Sequence, residues 1–226
     1  MRAVFFAALA ALALTPHLLA QQASTAAPPD PTVTINFSNP GLSPSQWTLT
    51  LHPDGRGHFR SVMGTASDAD APGEMRTPDV DRDVQLSSKF AMNVFHIAAR
   101  HNWFNEPCES HMKVAFQGWK TLSYSGPGGK GSCRFNYSRD KDIQALGDSF
   151  LAVSDTIVEG VRLEMLLQHD PLGLDKEIES LAAAAQDGRA QQLCAIKGIL
   201  ERLAGDDGVM EMVRKRARLL LARAET

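Results

Sequence analysis

What this chain lacks narrows its reading before what it contains. Lysine and arginine number 23 against 26 aspartates and glutamates, a formal net charge of −3. Phosphate-backbone binding needs a concentrated basic face, so no nucleic acid is expected as a partner. After residue 20 no apolar run approaches the roughly twenty residues that a bilayer-spanning helix takes, and no transmembrane segment is expected there. The stretch Ser123-Tyr124-Ser125-Gly126 lacks the Gly-x-Ser-x-Gly context of a nucleophile elbow. In Gly126-Pro127-Gly128-Gly129-Lys130-Gly131-Ser132 the lysine is followed by glycine, and strands flank both sides. A phosphate cradle needs Gly-Lys-Ser/Thr between a strand and a helix, so this segment reads as a hairpin loop. No cofactor is expected.

What is present begins with a targeting pattern. Arg2 supplies a short positive region, residues 4–14 are uninterrupted apolar residues, and Thr15-Pro16-His17 breaks the run. Leu18-Leu19-Ala20 then places a small residue before Gln21. Such a run is too short for a membrane span and has the layout of a cleaved signal peptide, residues 1–20. No cysteine sits at the cut, so no lipid attachment is expected. The mature chain then belongs outside the cytoplasm, in the periplasm or beyond, with 22 basic residues left after loss of Arg2.

In an oxidising compartment two of the three cysteines, Cys108, Cys133 and Cys194, should pair. Cys108 precedes the apolar segment 112–116 and Cys133 lies in the returning segment 131–135. If these are neighbouring strands, a Cys108–Cys133 bridge is easy, and closing its loop would stabilise by about 3 kcal/mol. Cys194 falls on the apolar side of a helical pattern and reads as a buried free thiol.

At 43% hydrophobic content the chain can bury a normal core. Residues 21–32 read as a flexible leader, small and proline-rich. Val33, Ile35 and Phe37 alternate as in a strand. Trp47, Leu49 and Leu51 alternate next, followed by His52-Pro53-Asp54-Gly55 and a second extended run, the chemistry of a hairpin. Residues 64–79 read as a long exposed loop. Ser87 caps a helix ending near Asn102, with Phe90, Val94, Ile97 and Ala98 on one face and Trp103 and Phe104 packing behind it. Segments 113–116, 119–124 and 134–137 read as a second antiparallel set. From Asp140 the period is helical to His169, and Asp170-Pro171-Leu172-Gly173 stops it. Three shorter helices follow, separated by Gly188 and by Gly205-Asp206-Asp207-Gly208.

These signals predict an α+β fold: residues 33–140 form a twisted antiparallel sheet with a packed helix, and 141–226 a helical region. With Trp47-x-Leu49-x-Leu51-x-x-Asp54-Gly55, the helix ending in Trp103-Phe104 and the Lys120-to-Tyr124 strand, residues 33–165 resemble a family of bacterial extracytoplasmic domains of unknown function. The resemblance implies a small α+β unit and no activity. The stretch from Gly208 to Leu220 is similar to the second helix of a HEAT-type repeat, a pattern that any helical pair satisfies.

Three constellations could carry chemistry. His96, His101, Cys108 and His111 include ligand-like spacing, but His96 and His101 are five residues apart and diverge on a helix, and export favours oxidation of Cys108. No metal is expected. Asp54 and His58 could form an acid–base pair, although turn aspartates usually bond their own backbone. Arg214, Lys215, Arg216, Arg218 and Arg223 form the densest positive patch, a possible docking face or a solvated helix side. No catalytic residue stands out. The sequence therefore points to a non-enzymatic binding or protein-interaction module, its partner an unidentified protein or envelope component. The alternatives are an exported hydrolase with an unadvertised site and a structural envelope protein docking through its basic C-terminal helix. A cleft of converging titratable groups would favour the enzyme. If the signal reading is right, intact mass of the exported protein should place the N-terminus at Gln21. A mass retaining residues 1–20 would refute it.

Overall fold

The computed structural model of the chain describes residues 30–64 and 77–224. Residues 1–20, expected to be a signal peptide, lie outside them, as do most of the expected leader and of the 64–79 segment. The fold is α+β: six antiparallel strands in one open sheet, helices against one face, and a helical C-terminal region. Strands β1 (Thr32–Ser38), β2 (Gln46–Leu51), β3 (Arg56–Val62), β4 (Val80–Gln85), β5 (Trp119–Gly126) and β6 (Gly129–Phe135) are arranged β4-β3-β2-β1-β5-β6.

Alternation decides which way each strand faces. Val33, Ile35 and Phe37, then Trp47, Leu49 and Leu51, are buried, while their neighbours point to the opposite side. The β2–β3 turn closes as its residues demand: Gly55 adopts φ +86° and its amide donates to the His52 carbonyl at 3.0 Å. A Cβ there would lie 2.3 Å from the Leu86 carbonyl oxygen, so glycine is required twice over.

Helices α1 (Ser88–Arg100) and α2 (Lys141–His169) cover the apolar face. Each is capped by its expected residue: Ser87 Oγ accepts from the Phe90 amide, and Asp140 accepts from Asp142 and Ile143. Beyond α1 the chain makes a left-handed turn, with Asn102, Trp103 and Phe104 at φ 47°, 57° and 62°. Three such residues in a row are costly for L-residues. Fully buried Phe104 and the stacking of Trp103 on Tyr124, centroids 4.3 Å apart, hold them there.

Two expectations need correcting. Residues 113–116 are not a strand. Their backbone is held instead by side chains: Asn136 Nδ2 donates to the Ala115 carbonyl, and Asn136 Oδ1 accepts from the Gln117 amide at 2.7 Å. Val114 and Phe116 are consequently exposed. Cys108 therefore lies in an irregular segment rather than in a strand, and is bonded to Cys133 of β6 with Cα atoms 5.6 Å apart. The second is β4, which lies between the 64–79 loop and the Ser87 cap in a stretch to which the sequence assigned no element. Its acidic residues Asp81 and Asp83 point to solvent, and its inward Arg82 makes a two-pronged ion pair with Glu164 of α2, at 3.1 and 2.8 Å. Charge on both sides of the strand hid its alternation.

Helices α3 (Leu174–Gln186), α4 (Lys197–Gly205) and α5 (Glu211–Ala224) form a second core with the end of α2. Leu163, Leu166, Leu174, Ile178, Leu200, Leu203, Val213, Ala217 and Leu220 are buried in it. Leu200→Ala and Leu220→Ala should each destabilise by about 2–5 kcal/mol, because both side chains are enclosed. Denaturant melts showing either variant unchanged would mean that this region is not packed as described.

Candidate functional site

The structure disperses most of the constellations visible in sequence. Asp54 does not meet His58: its carboxylate accepts from the Arg56 amide and guanidinium, at 3.0 and 2.5 Å, which hold it below its ordinary pKa. His58 lies instead between Asp83 (2.8 Å) and Asp81 (3.0 Å), whose carboxylates raise its pKa. Cys108 is spent in the disulfide, and His101 Nδ1 is 2.6 Å from Glu106. His101, Asp140 and Asp142 come within 4.8 Å of one another, but Asp140 caps α2 and Asp142 binds Arg100 at 2.6 Å. Those groups are already satisfied.

The basic patch is likewise engaged. Arg216 binds Asp175 and lies 3.4 Å from Glu179, tying α5 to α3. Arg214 binds Asp207 and, at 2.6 Å, Glu211; Arg218 reaches Glu211 and the Ala204 carbonyl. Arg223 also has an interaction, and Lys215 projects to solvent. Much of the positive charge is thus matched by acids of the same domain, so its reach outward is reduced.

What the sequence did not single out is a groove of about 660 Å³ beside α2. One wall is α2, through Asp148, Leu151, Asp155, Val158 and Glu159. The other is α3 and the loop after it, through Ser180, Leu181 and Ala190, with Ser43 and Pro44 of the β1–β2 loop closing one end. Its volume falls within the range of ligand clefts. Asp155 and Glu159 are one helical turn apart, so their side chains share a face.

The two carboxyls differ in role. Burial drives Glu159 up to about 8, and the adjacent Glu177 carboxylate adds to the rise. Glu159 Oε2 is buried with no hydrogen-bond partner among the described residues. A charged carboxylate would suffer there, so the group is neutral at pH 7 and shares its proton with Glu177, whose charge Arg162 matches at 3.0 Å. Asp155 has no such neighbour. It stands solvent-exposed at the groove's rim, and the nearby walls raise its pKa to about 6. Around neutrality it is anionic, with no ion pair to a cation among the described residues.

Asp148 faces inward charge as well. Lys120 of β5 is fully buried, its Nζ donating to the Asn136 carbonyl at 3.0 Å. Burial lowers the Lys120 pKa, and the charges of Asp148 and Glu109 oppose that fall. Asp148 itself is exposed and accepts from Gln144 Nε2 at 2.9 Å, whereas Asp155 has no ion pair among the described residues. A periodicity reading passes over both, because acids beside an apolar stripe are what any solvated helix shows.

No family model, curated protein or solved structure matches the chain. The chemistry of the groove must therefore be read from its own residues.

Glu159 makes one firm prediction. Because its folded pKa is raised above the unfolded value, the native state holds a proton that the unfolded chain releases from about pH 4.5 upward. Native stability should fall as pH rises from about 4.5 through about 8. Glu159→Gln keeps a donor for Glu177 without the titration. At pH 9 it should melt about 2–4 °C higher for each kcal/mol of relief, and at pH 4 it should match the parent. A variant less stable at pH 9 would show that the parent carboxyl is not held neutral.

Proposed function

We propose that this protein is a non-enzymatic binding module, exported from the cell, whose groove beside α2 takes a cationic, partly apolar segment of another envelope protein. The observation that carries this reading is Asp155, an anion without a cationic partner set in a cleft whose walls include Leu151, Val158 and Leu181. A lysine or arginine stem would cover those apolar walls while its charge met the carboxylate. Export is supported by the disulfide and by the residue 1–20 pattern. Among the described residues no helix is long and apolar enough to cross a membrane.

The raised carboxyls also favour a second reading, an exported hydrolase. General acid–base chemistry uses two groups with separated pKa values, both facing the substrate. Here Glu159 has one oxygen buried and its proton engaged with Glu177, so only Asp155 addresses the groove freely. That asymmetry favours binding over turnover.

A short lysine-containing apolar peptide, titrated into the mature protein by calorimetry, tests the assignment. Affinity should rise as pH passes upward through about 6, where Asp155 ionises. Asp155→Asn should weaken binding at least tenfold and flatten the pH profile, and Asp155→Lys should abolish it. Glu159→Gln should leave it nearly unchanged. Binding indifferent to both Asp155 variants would overturn the groove assignment. Hydrolysis of the peptide that is lost in Asp155→Asn would replace the binding reading by the enzymatic one.

A further inference from the structure

The sheet's second face is bare among the described residues, and its side chains are ordered in rows. Strand pairing aligns Asp81, Arg60, Thr48, Asn36, Thr121 and Arg134 in one line across all six strands. A neighbouring line carries Asp83, His58, Thr50, Thr34, Ser123 and Ser132. Side-chain bonds fix the hydroxyl positions: Thr48 donates to Asn36 at 2.7 Å, and Ser123 and Ser132 meet at 2.9 Å. On the other side of the first line stands Trp119, propped by Phe116 and with the Arg134 guanidinium 4.3 Å from its ring. A depression of about 400 Å³ joins Trp119 to Asn36, Thr48, Arg60, Thr121 and Arg134.

We propose that this face binds an acidic polysaccharide lying across the strands, its carboxylates spaced along the chain by neutral sugars. Arg134 covers one face of the Trp119 ring, and the exposed remainder of that ring offers apolar contact to the C–H groups of a sugar. The threonine, serine and asparagine row offers preplaced donors and acceptors for sugar hydroxyls. Arg60 and Arg134 flank the Thr48, Asn36 and Thr121 part of the row four strand spacings apart, about 19 Å, so the site fits an oligomer and not a single ring. Arg134 has no carboxylate partner among the described residues, and Arg60 has only Asp81 at 3.6 Å. Both guanidiniums can therefore take a ligand carboxylate in two-pronged fashion.

The charge pattern selects the polymer. Two cations on the row are too few for the phosphate density of a nucleic acid, and Asp81 and Asp83 at the β4 end repel any densely anionic chain. A peptide is a poorer match, because the row crosses the strands, exposes no edge backbone and has no deep side-chain hole. A polymer with intermittent carboxylates places one near each arginine and neutral hydroxyls between them.

The test uses the mature protein with an octasaccharide that alternates a uronic acid with a neutral sugar. A neutral octasaccharide, an all-uronate octasaccharide and an oligothymidylate serve for comparison, all by calorimetry. The alternating sugar should bind at least tenfold more tightly than each of the other three. Arg134→Gln and Thr121→Ala, both surface changes, should weaken it at least tenfold and threefold, with melting temperatures unchanged. Trp119→Ala should weaken it even at high salt, where the arginine contribution is screened. Asp155→Asn should have no effect, since the groove lies on the helical side. No binding of the alternating sugar would overturn the proposal. So would binding untouched by Arg134→Gln and Thr121→Ala, or tighter binding of the oligothymidylate, which would mark a nucleic-acid surface.

Discussion

Helix α2 must be buried against two different partners along one axis, and the rest of the molecule is arranged around that requirement. Ile143, Leu146, Phe150, Val153, Ile157 and Val161 belong to the core under the sheet. Leu163 and Leu166, farther along, belong to the core with α3, α4 and α5. The helix is 29 residues long, enough to carry both sets in succession along one axis. Near the change of partner Gly160 lets the segment Leu193–Ile196 come close: a Cβ at that position would lie 2.3 Å from Ile196 Cγ2. A larger residue would push the second core off the first.

Such a seam has a physical consequence. Two cores meeting on one helix leave a strip that neither covers, and helix polar groups collect there. Asp155, Glu159, Arg162 and Glu177 occupy it, bridging α2 to α3 through a shared proton and an ion pair. The groove is the uncovered part of that strip. Partly desolvated acids are therefore expected where it is found, and their raised pKa values do not by themselves imply catalysis. What distinguishes Asp155 from Glu159 is solvent access and a missing partner, not the size of the shift.

Elements with one clear period were legible. The β2–β3 hairpin, the Ser87 and Asp140 caps, the end of α2 at His169 and the three C-terminal helices follow from turn residues, caps and apolar spacing. Strand β4 was not legible, because Arg82 faces inward and is matched only by a distant glutamate. Residues 113–116 misled for the opposite reason: they are apolar enough for a strand, but the Asn136 side chain rather than a neighbouring strand takes the backbone bonds at Ala115 and Gln117. The groove was invisible, since it depends on which helices share α2. The rows on the open face are visible only once register is known. Each strand alone shows ordinary polar alternation, and adjacency across strands turns it into a line.

Strand β5 joins the two surfaces. Successive side chains of a strand point to opposite faces, so Trp119 and Thr121 lie on the open face while Lys120 between them points into the core. There its charge is opposed by Asp148, which lines the groove. An ammonium inside an apolar core is costly unless a counter-charge is near. Asp148 thus has an electrostatic role independent of any ligand, since its charge favours the protonated form of Lys120. Asp155 has no such duty toward the sheet. An acid that the fold does not need, held open in a cleft, is the one whose presence a ligand best explains.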